Sequence, residues 1–139
     1  MKKLIMSNVA EGTHAGNITK VAAEAISQKY LLCKLNSTGK VSVADEADYP
    51  IGVVTDEVEQ ANDFVNVALL GACDTIKMIA SESVSAGGIV VASTGGEVRE
   101  LPEDVGTYYQ VGVALTPAND GGIVECVSCL PIKHVISAE

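Results

Sequence analysis

The sequence has few aromatic residues and few basic ones. Among 139 residues there is no Trp and a single Phe, and aromatic residues make up 4% although 47% are hydrophobic. A core must therefore be built mainly from Val, Ile, Leu and Ala. The chain contains nine Lys and Arg residues and 18 Asp and Glu residues, which gives a net charge of -9. A chain of this charge repels phosphate backbones and anionic membrane surfaces, so we expect neither nucleic acid nor membrane as a partner.

Long apolar runs are also missing. The start, MKKLIM, imitates a signal peptide, but its apolar run ends at Ser7, short of the about 7–15 residues that such a peptide needs. No stretch approaches the roughly 18 apolar residues of a membrane span. We expect a soluble protein made in a cytoplasm. The mean hydropathy of +0.28 is high for one small domain and indicates apolar surface covered by partner subunits.

Catalytic signatures are missing as well. The segment TGK at 38–40 lacks the flanking residues of a phosphate loop, because Lys34 and Val41 occupy the required Gly and Ser/Thr positions. His14 and His134 are the two histidines, and we predict packing or surface roles for them. A Ser or Cys nucleophile therefore has no evident general base. The sequence predicts no enzyme activity and no cofactor.

Four cysteines raise the question of a metal or redox site. Cys126 and Cys129 form a CxxC, but it falls inside a predicted strand, where an odd separation directs the two thiols to opposite faces. Cys33 and Cys73 have no ligand nearby in sequence. Because a zinc knuckle needs its CxxC on a tight turn, we predict buried, reduced, structural cysteines and no metal.

Carboxylates cluster in three short segments: Asp45, Glu46 and Asp48; Asp56, Glu57 and Glu59; and Glu100, Glu103 and Asp104. These segments flank predicted turns, where charge costs little and discourages aggregation through sheet edges. The alternative is a divalent cation that bridges subunits, since carboxylate oxygens are the ligands that calcium prefers.

One segment of the chain occurs twice. YPIGVVT at 49–55 returns as YQVGVALT at 109–116, and flanking segments match in the same order. The further matches are STGKV (37–41) with STGGEV (93–98), FVNVALLGA (64–72) with IVECVSCL (123–130), and EAISQKYLLC (24–33) with ESVSAGGIVV (82–91). The matches predict two similar units of about 57 residues, roughly 18–74 and 75–139.

The repeat also predicts the secondary structure. ITKVAAE (18–24) alone favours a helix, but its counterparts TIKMIASE (75–82) and PIKHVISAE (131–139) are rich in β-branched residues, so we predict three strands. Further strands are predicted at 30–35, 41–44, 51–55, 64–70, 89–93, 97–101, 108–116 and 122–129. Many short strands separated by turn residues indicate an all-β fold, a compact β-barrel or sandwich with a pseudo-two-fold axis. Residues 1–16 are predicted to be an extended N-terminal arm, and residues 17–139 a single β domain.

The chain resembles the small head decoration proteins of tailed bacteriophages, also called capsid cement proteins. The resemblance runs from about residue 11 to the end and rests on YPIGVVTDE (49–57), FVNVALLG (64–71), SVSAGGIVVAS (83–93) and GTYYQVGVAL (106–115). One departure is Gly87-Gly88, where the family more often has Gly-Asp.

This resemblance implies a β-rich homotrimer on the outer surface of the virion that binds the phage major capsid protein and stabilises the shell. We expect the arm to contribute capsid or intersubunit contacts through Met6, Ser7, Asn8, Val9, Thr13 and His14. One alternative is a virion-displayed carbohydrate- or receptor-binding module that stacks sugars on exposed aromatic residues. The other is a small β-barrel enzyme or ligand carrier.

Overall fold

The computed structural model describes residues 16–72 and 75–138. In these ranges the chain forms ten strands and one short 3₁₀ turn, Thr94–Gly96. The strands are β1 (Asn17–Val21), β2 (Leu32–Leu35), β3 (Val41–Val43), β4 (Gly52–Val54), β5 (Phe64–Leu69), β6 (Thr75–Ile79), β7 (Ile89–Ala92), β8 (Val98–Glu100), β9 (Gly106–Ala114) and β10 (Ile123–Ile136). Within these ranges no helix is long and apolar enough to cross a bilayer.

The strands form two antiparallel five-stranded sheets with the same connectivity. The first has the order β1-β5-β4-β2-β3, and the second has the order β6-β10-β9-β7-β8. The two strand orders are the same, because each strand of the second sheet carries the number of its counterpart in the first sheet plus five. The predicted all-β fold built from two similar units is therefore confirmed.

Each sheet curls back on itself within its own unit. A parallel bridge joins Ala22, just after β1, to Val41 in β3, so the first and last strands of the sheet meet. Ala80 and Val98 make the same parallel bridge in the second unit. Since the two sheets share no strand pairing in the described ranges, closure occurs within each unit rather than between them.

The interior positions of the two units correspond one to one, and most of them hold small aliphatic residues. Strand pairing and the bridges give these matches: Ala22 with Ala80, Ile26 with Val84, Cys33 with Val90, Val41 with Val98, Val54 with Ala114, Val58 with Ala118, Val65 with Val124 and Val67 with Cys126. All these side chains are buried except that of Ala118, which is partly buried. The scarcity of aromatics thus leaves two narrow aliphatic cores.

The two cores are not separate bodies. Leu32, Val53 and Leu70 belong to the first unit but pack in the same buried cluster as Met78 and Val111 of the second. Burial of this aliphatic surface stabilises the contact at about 25 cal/mol per Å². The units are consequently held together by continuous core.

The C-terminal part of the chain departs from the expected strand layout. The segment 131–139 was predicted to be a separate strand equivalent to β1 and β6. Its residues up to Ile136 instead continue β10, which runs for 14 residues and pairs along β9 as far as Gly106. Pro131 lies where the register shifts between Ser128 and Ile132, a place where a residue without an N–H is tolerated.

Candidate functional site

The arm residues predicted to make capsid or intersubunit contacts lie outside the described residues. This applies to Met6, Ser7, Asn8, Val9, Thr13 and His14. The described chain begins at Gly16, whose carbonyl accepts a hydrogen bond from the Leu69 N–H at 2.7 Å. The chain therefore enters the fold beside the end of β5.

Two of the cysteines are core residues, as predicted. Cys33 and Cys126 are fully buried, and burial raises the pKa of both thiols to about 12. Their matched positions in the other unit hold Val90 and Val67, which have similar volume and no thiol chemistry. Cys129 is half-buried, and its Sγ lies 3.9 Å from the Gln110 carbonyl oxygen. Cys73 lies outside the described residues.

The carboxylate segment at 45–48 makes structural contacts. Lys34 Nζ lies 2.8 Å from Asp48 Oδ2, and this hydrogen bond is the main cause of the lowered pKa of Asp48. The Gly95 N–H donates to Asp45 Oδ1 at 2.9 Å, which ties this loop to the second unit. Across residues 16–72 and 75–138, no three His, Cys, Asp or Glu side chains converge in a way that would hold a metal.

His134 takes part in packing within the second unit. Its Nε2 lies 2.7 Å from Gln110 Oε1, and the two residues are on neighbouring strands, β10 and β9. His14 lies outside the described residues. The histidine that the structure describes therefore orients a neighbouring amide.

The aromatic residues are not arranged as one sugar-stacking platform. Tyr108 is buried, donates its hydroxyl to the Asp104 carbonyl at 2.9 Å and lies under the Arg99 guanidinium. Tyr49 packs edge-to-face on Tyr109. Phe64, by contrast, is 75% exposed at the start of β5. The aromatic rings thus serve mostly as packing groups in separate places.

A small cleft lies along the seam between the two units. Its volume is about 240 Å³, and Asn17, Tyr30, Thr75, Lys77 and Glu125 contribute polar groups to its lining. Several of these groups already have partners: Thr75 Oγ1 donates to Glu125 Oε2 at 2.7 Å, and Lys77 Nζ lies 6.0 Å from the Tyr30 ring centre. The cleft is therefore small, and part of its polar lining is engaged within the chain.

The most apolar exposed surface lies on β10. Ten large hydrophobic residues of the described ranges are exposed, and five of them belong to this one strand: Ile123, Val127, Leu130, Ile132 and Val135. The repeat and the strand patterns of the sequence did not predict this surface. A signal was present in IVECVSCLPIKHVI, which contains no Gly, Asn or Asp to end a strand.

Comparison with known proteins gives a match at the level of the fold. No family model and no curated protein matches the chain. Among solved structures, the chain is similar to the N base of head fiber gp8.5 in bacteriophage phi29, with a TM-score of 0.62 and 19% sequence identity. The match covers 85% of this chain and 98% of that one. At this identity the likeness shows a shared fold, which includes both units.

Proposed function

We propose that this protein is a structural component of a phage virion that binds the outside of the head and stabilises the shell by bridging major capsid proteins. The observation that carries the proposal is the shared fold with a head fiber base over nearly the whole of that domain. The sequence resemblance to head decoration proteins supports the same role. The protein acts by binding alone, without a catalytic step or cofactor.

The structure suits a mechanical role. Two closed β units share one of their buried aliphatic clusters, so a load applied to one unit is passed to the other through packed side chains. Acidic turns cover the surface and keep particles that display many copies apart in solution. A shell offers many equivalent sites, so contacts that are weak singly hold together through avidity.

We propose that the protein works as a homo-oligomer, a trimer as the resemblance implies, on the outer surface of the virion after synthesis in the host cytoplasm. The arm, around residues 6–15, contributes to docking or to contact between subunits. Removing the arm should therefore weaken head binding or oligomerisation. An arm-deleted protein that keeps both would refute this part of the proposal.

The proposal is tested on heads that lack the protein. Purified full-length chain is added to expanded heads from a phage whose genome carries this sequence and from which the gene has been deleted. Saturable binding with a fixed number of copies per head is expected, together with better retention of DNA on heating. Absence of binding at micromolar protein would refute the role, and unexpanded heads serve as the matched control.

A second candidate function rests on the seam cleft. The Tyr30 ring lines a hollow that also offers the carboxylate of Glu125 and the amide of Asn17, a combination that suits a sugar unit. A virion-displayed module that binds carbohydrate would then show selective binding on a glycan array. The Glu125→Gln variant should lose that binding, and failure of the natural chain to bind any glycan would eliminate this candidate.

A further inference from the structure

Beyond Gln110 the distal half of the β9–β10 pair has no strand on either side of it. We call this part the distal ribbon: residues 106–110 of β9 paired with residues 132–136 of β10. β6 pairs with β10 only as far as Val127, and the pairing of β7 with β9 ends at Gln110, the residue at which the ribbon begins. In the described ranges both outer edges of the ribbon are open beyond Gln110, and a two-stranded ribbon alone is marginally stable in water.

The ribbon and the register shift of β10 that precedes it expose apolar side chains. Leu130 is 65% exposed, Ile132 is 49% exposed and Val135 is 63% exposed. Val135 follows Ile132 by three positions in the same strand. Because this separation is odd, their side chains leave opposite faces of the ribbon. Neither face is fully covered by the rest of this chain.

The distribution of acidic residues along the chain bears on which partner covers this apolar surface. The chain carries a net charge of -9, so two copies repel each other across most of their surfaces. The segments 106–116 and 126–138, which build the ribbon and its base, contain no Asp or Glu. Carboxylates flank these segments at Asp104 and Glu125, but the segments themselves carry none, so two acidic chains meet less repulsion here than elsewhere on their surfaces.

We infer that the distal ribbon is the contact between subunits and that a second copy of this chain covers Leu130, Ile132 and Val135. This deepens the proposed function because it names the surface through which copies associate, and it is tested without heads. The contact is made through side chains on the ribbon faces. Pro131, which has no N–H to donate, hinders open-ended strand addition beside it and so favours a closed assembly.

The experiment is sedimentation velocity on the full-length chain over a range of micromolar concentrations. The natural chain is expected to form an oligomer, and Leu130→Glu and Val135→Glu should each weaken association at least about tenfold because a carboxylate would be placed in an apolar contact. Phe64→Glu is the matched control: Phe64 is even more exposed, at 75%, but lies on β5 in the first unit. It should leave association unchanged.

Two further measurements test the contact on the natural chain, without any substitution. Raising the salt concentration should strengthen association, because salt screens the repulsion between acidic chains; an interface of ion pairs would weaken instead. Amides of residues 132–136, which pair with β9 within one chain, should exchange more slowly at concentrations where the oligomer forms, because the contact stabilises the ribbon. A natural chain that stays monomeric, or that is dissociated by Phe64→Glu and not by Leu130→Glu, would overturn the inference.

Discussion

The ring of Tyr49 packs edge-to-face against the ring of Tyr109, with centroids 6.1 Å apart and planes at 75°. These tyrosines hold the same position in the two copies of the repeated segment, so a residue contacts its own counterpart. Gly71 and Leu130, which are also matched in the sequence, lie against each other as well. Contact between counterparts is the arrangement expected beside an approximate two-fold axis, as in an isologous interface.

The tyrosine pair should contribute measurable coupling between the units. A double-mutant cycle with Tyr49→Ala and Tyr109→Ala is expected to give about 0.5–1.5 kcal/mol, towards the lower value because Tyr49 is partly in water. Urea denaturation supplies the four free energies of unfolding. Pairing Tyr49→Ala with Phe64→Ala is the control and should be additive; equal coupling in both cycles would contradict the contact.

The glycine shared by the two copies of the repeated segment is required by close strand packing. A Cβ at Gly52 would lie 2.5 Å from the Ala68 carbonyl oxygen, and one at Gly112 would collide with the Val127 carbonyl. We therefore expect Gly52→Ala and Gly112→Ala each to destabilise the protein by about 1–3 kcal/mol or more. Thermal and urea unfolding check this, with the exposed Ser83→Ala as a variant that should stay within experimental error of the natural chain.

Left-handed backbone positions are also matched between the units. Asn62 has a φ of 75° and donates its N–H to the Ala22 carbonyl; Gly121 has a φ of 80° and donates to the Ala80 carbonyl. Nothing lies within 4 Å of a Cβ at Gly121, so a side chain there costs only backbone strain. Gly121→Ala should lose about 1 kcal/mol, whereas Gly121→Asn should lose clearly less. Equal losses for the two variants would show that the strain argument is wrong.

The buried cysteines should be replaceable by the valine found at the matched position. Cys33→Val and Cys126→Val each add about one methyl group at a position that holds valine in the other unit, and should each cost no more than about 1–3 kcal/mol. Alkylation mapped by mass spectrometry should show Cys33 and Cys126 protected in the folded protein and Cys129 reacting faster. Rapid alkylation of the folded protein at Cys33 would contradict its burial.

The same two thiols predict a loss of stability in alkali. Their pKa is about 12 in the folded chain against an ordinary 9.0, so the folded state keeps protons that the unfolded chain releases as pH rises above 9.0. Stability linked to the thiols is thus complete below that pH and falls between it and about 12. The variant with both valines should lose less stability than the natural chain over this range.

Much of the fold follows from local patterns. Val-rich runs between turn residues located the strands, and matched segments such as 49–55 and 109–116 gave the correspondence of the two units. ITKVAAE favours a helix by propensity, yet its first four residues, 18–21, lie in strand β1 because they pair with β5, and the chain then brings Ala22 into the core. The counterpart segment TIKMIASE, which contains β6, is rich in β-branched residues and so indicated a strand, whereas the local propensity of ITKVAAE did not.

The sequence patterns predicted the wrong place for the C-terminal part of the distal ribbon. PIKHVISAE resembles β6, and the pattern therefore predicted an equivalent strand. Its place was decided instead by long-range pairing with β9, and a register shift around Pro131 lets β10 continue through the proline. The exposure of Leu130 and Val135 was not predicted either, since apolar residues in a strand ordinarily indicate a buried face.

Image reconstructions of heads with and without the protein would show whether it binds the outside of the shell. We expect difference density on the outer surface, in contact with neighbouring capsid subunits, that fits two five-stranded units per copy with the distal ribbons facing each other. Heads whose outer surface is the same in both maps would contradict this expectation.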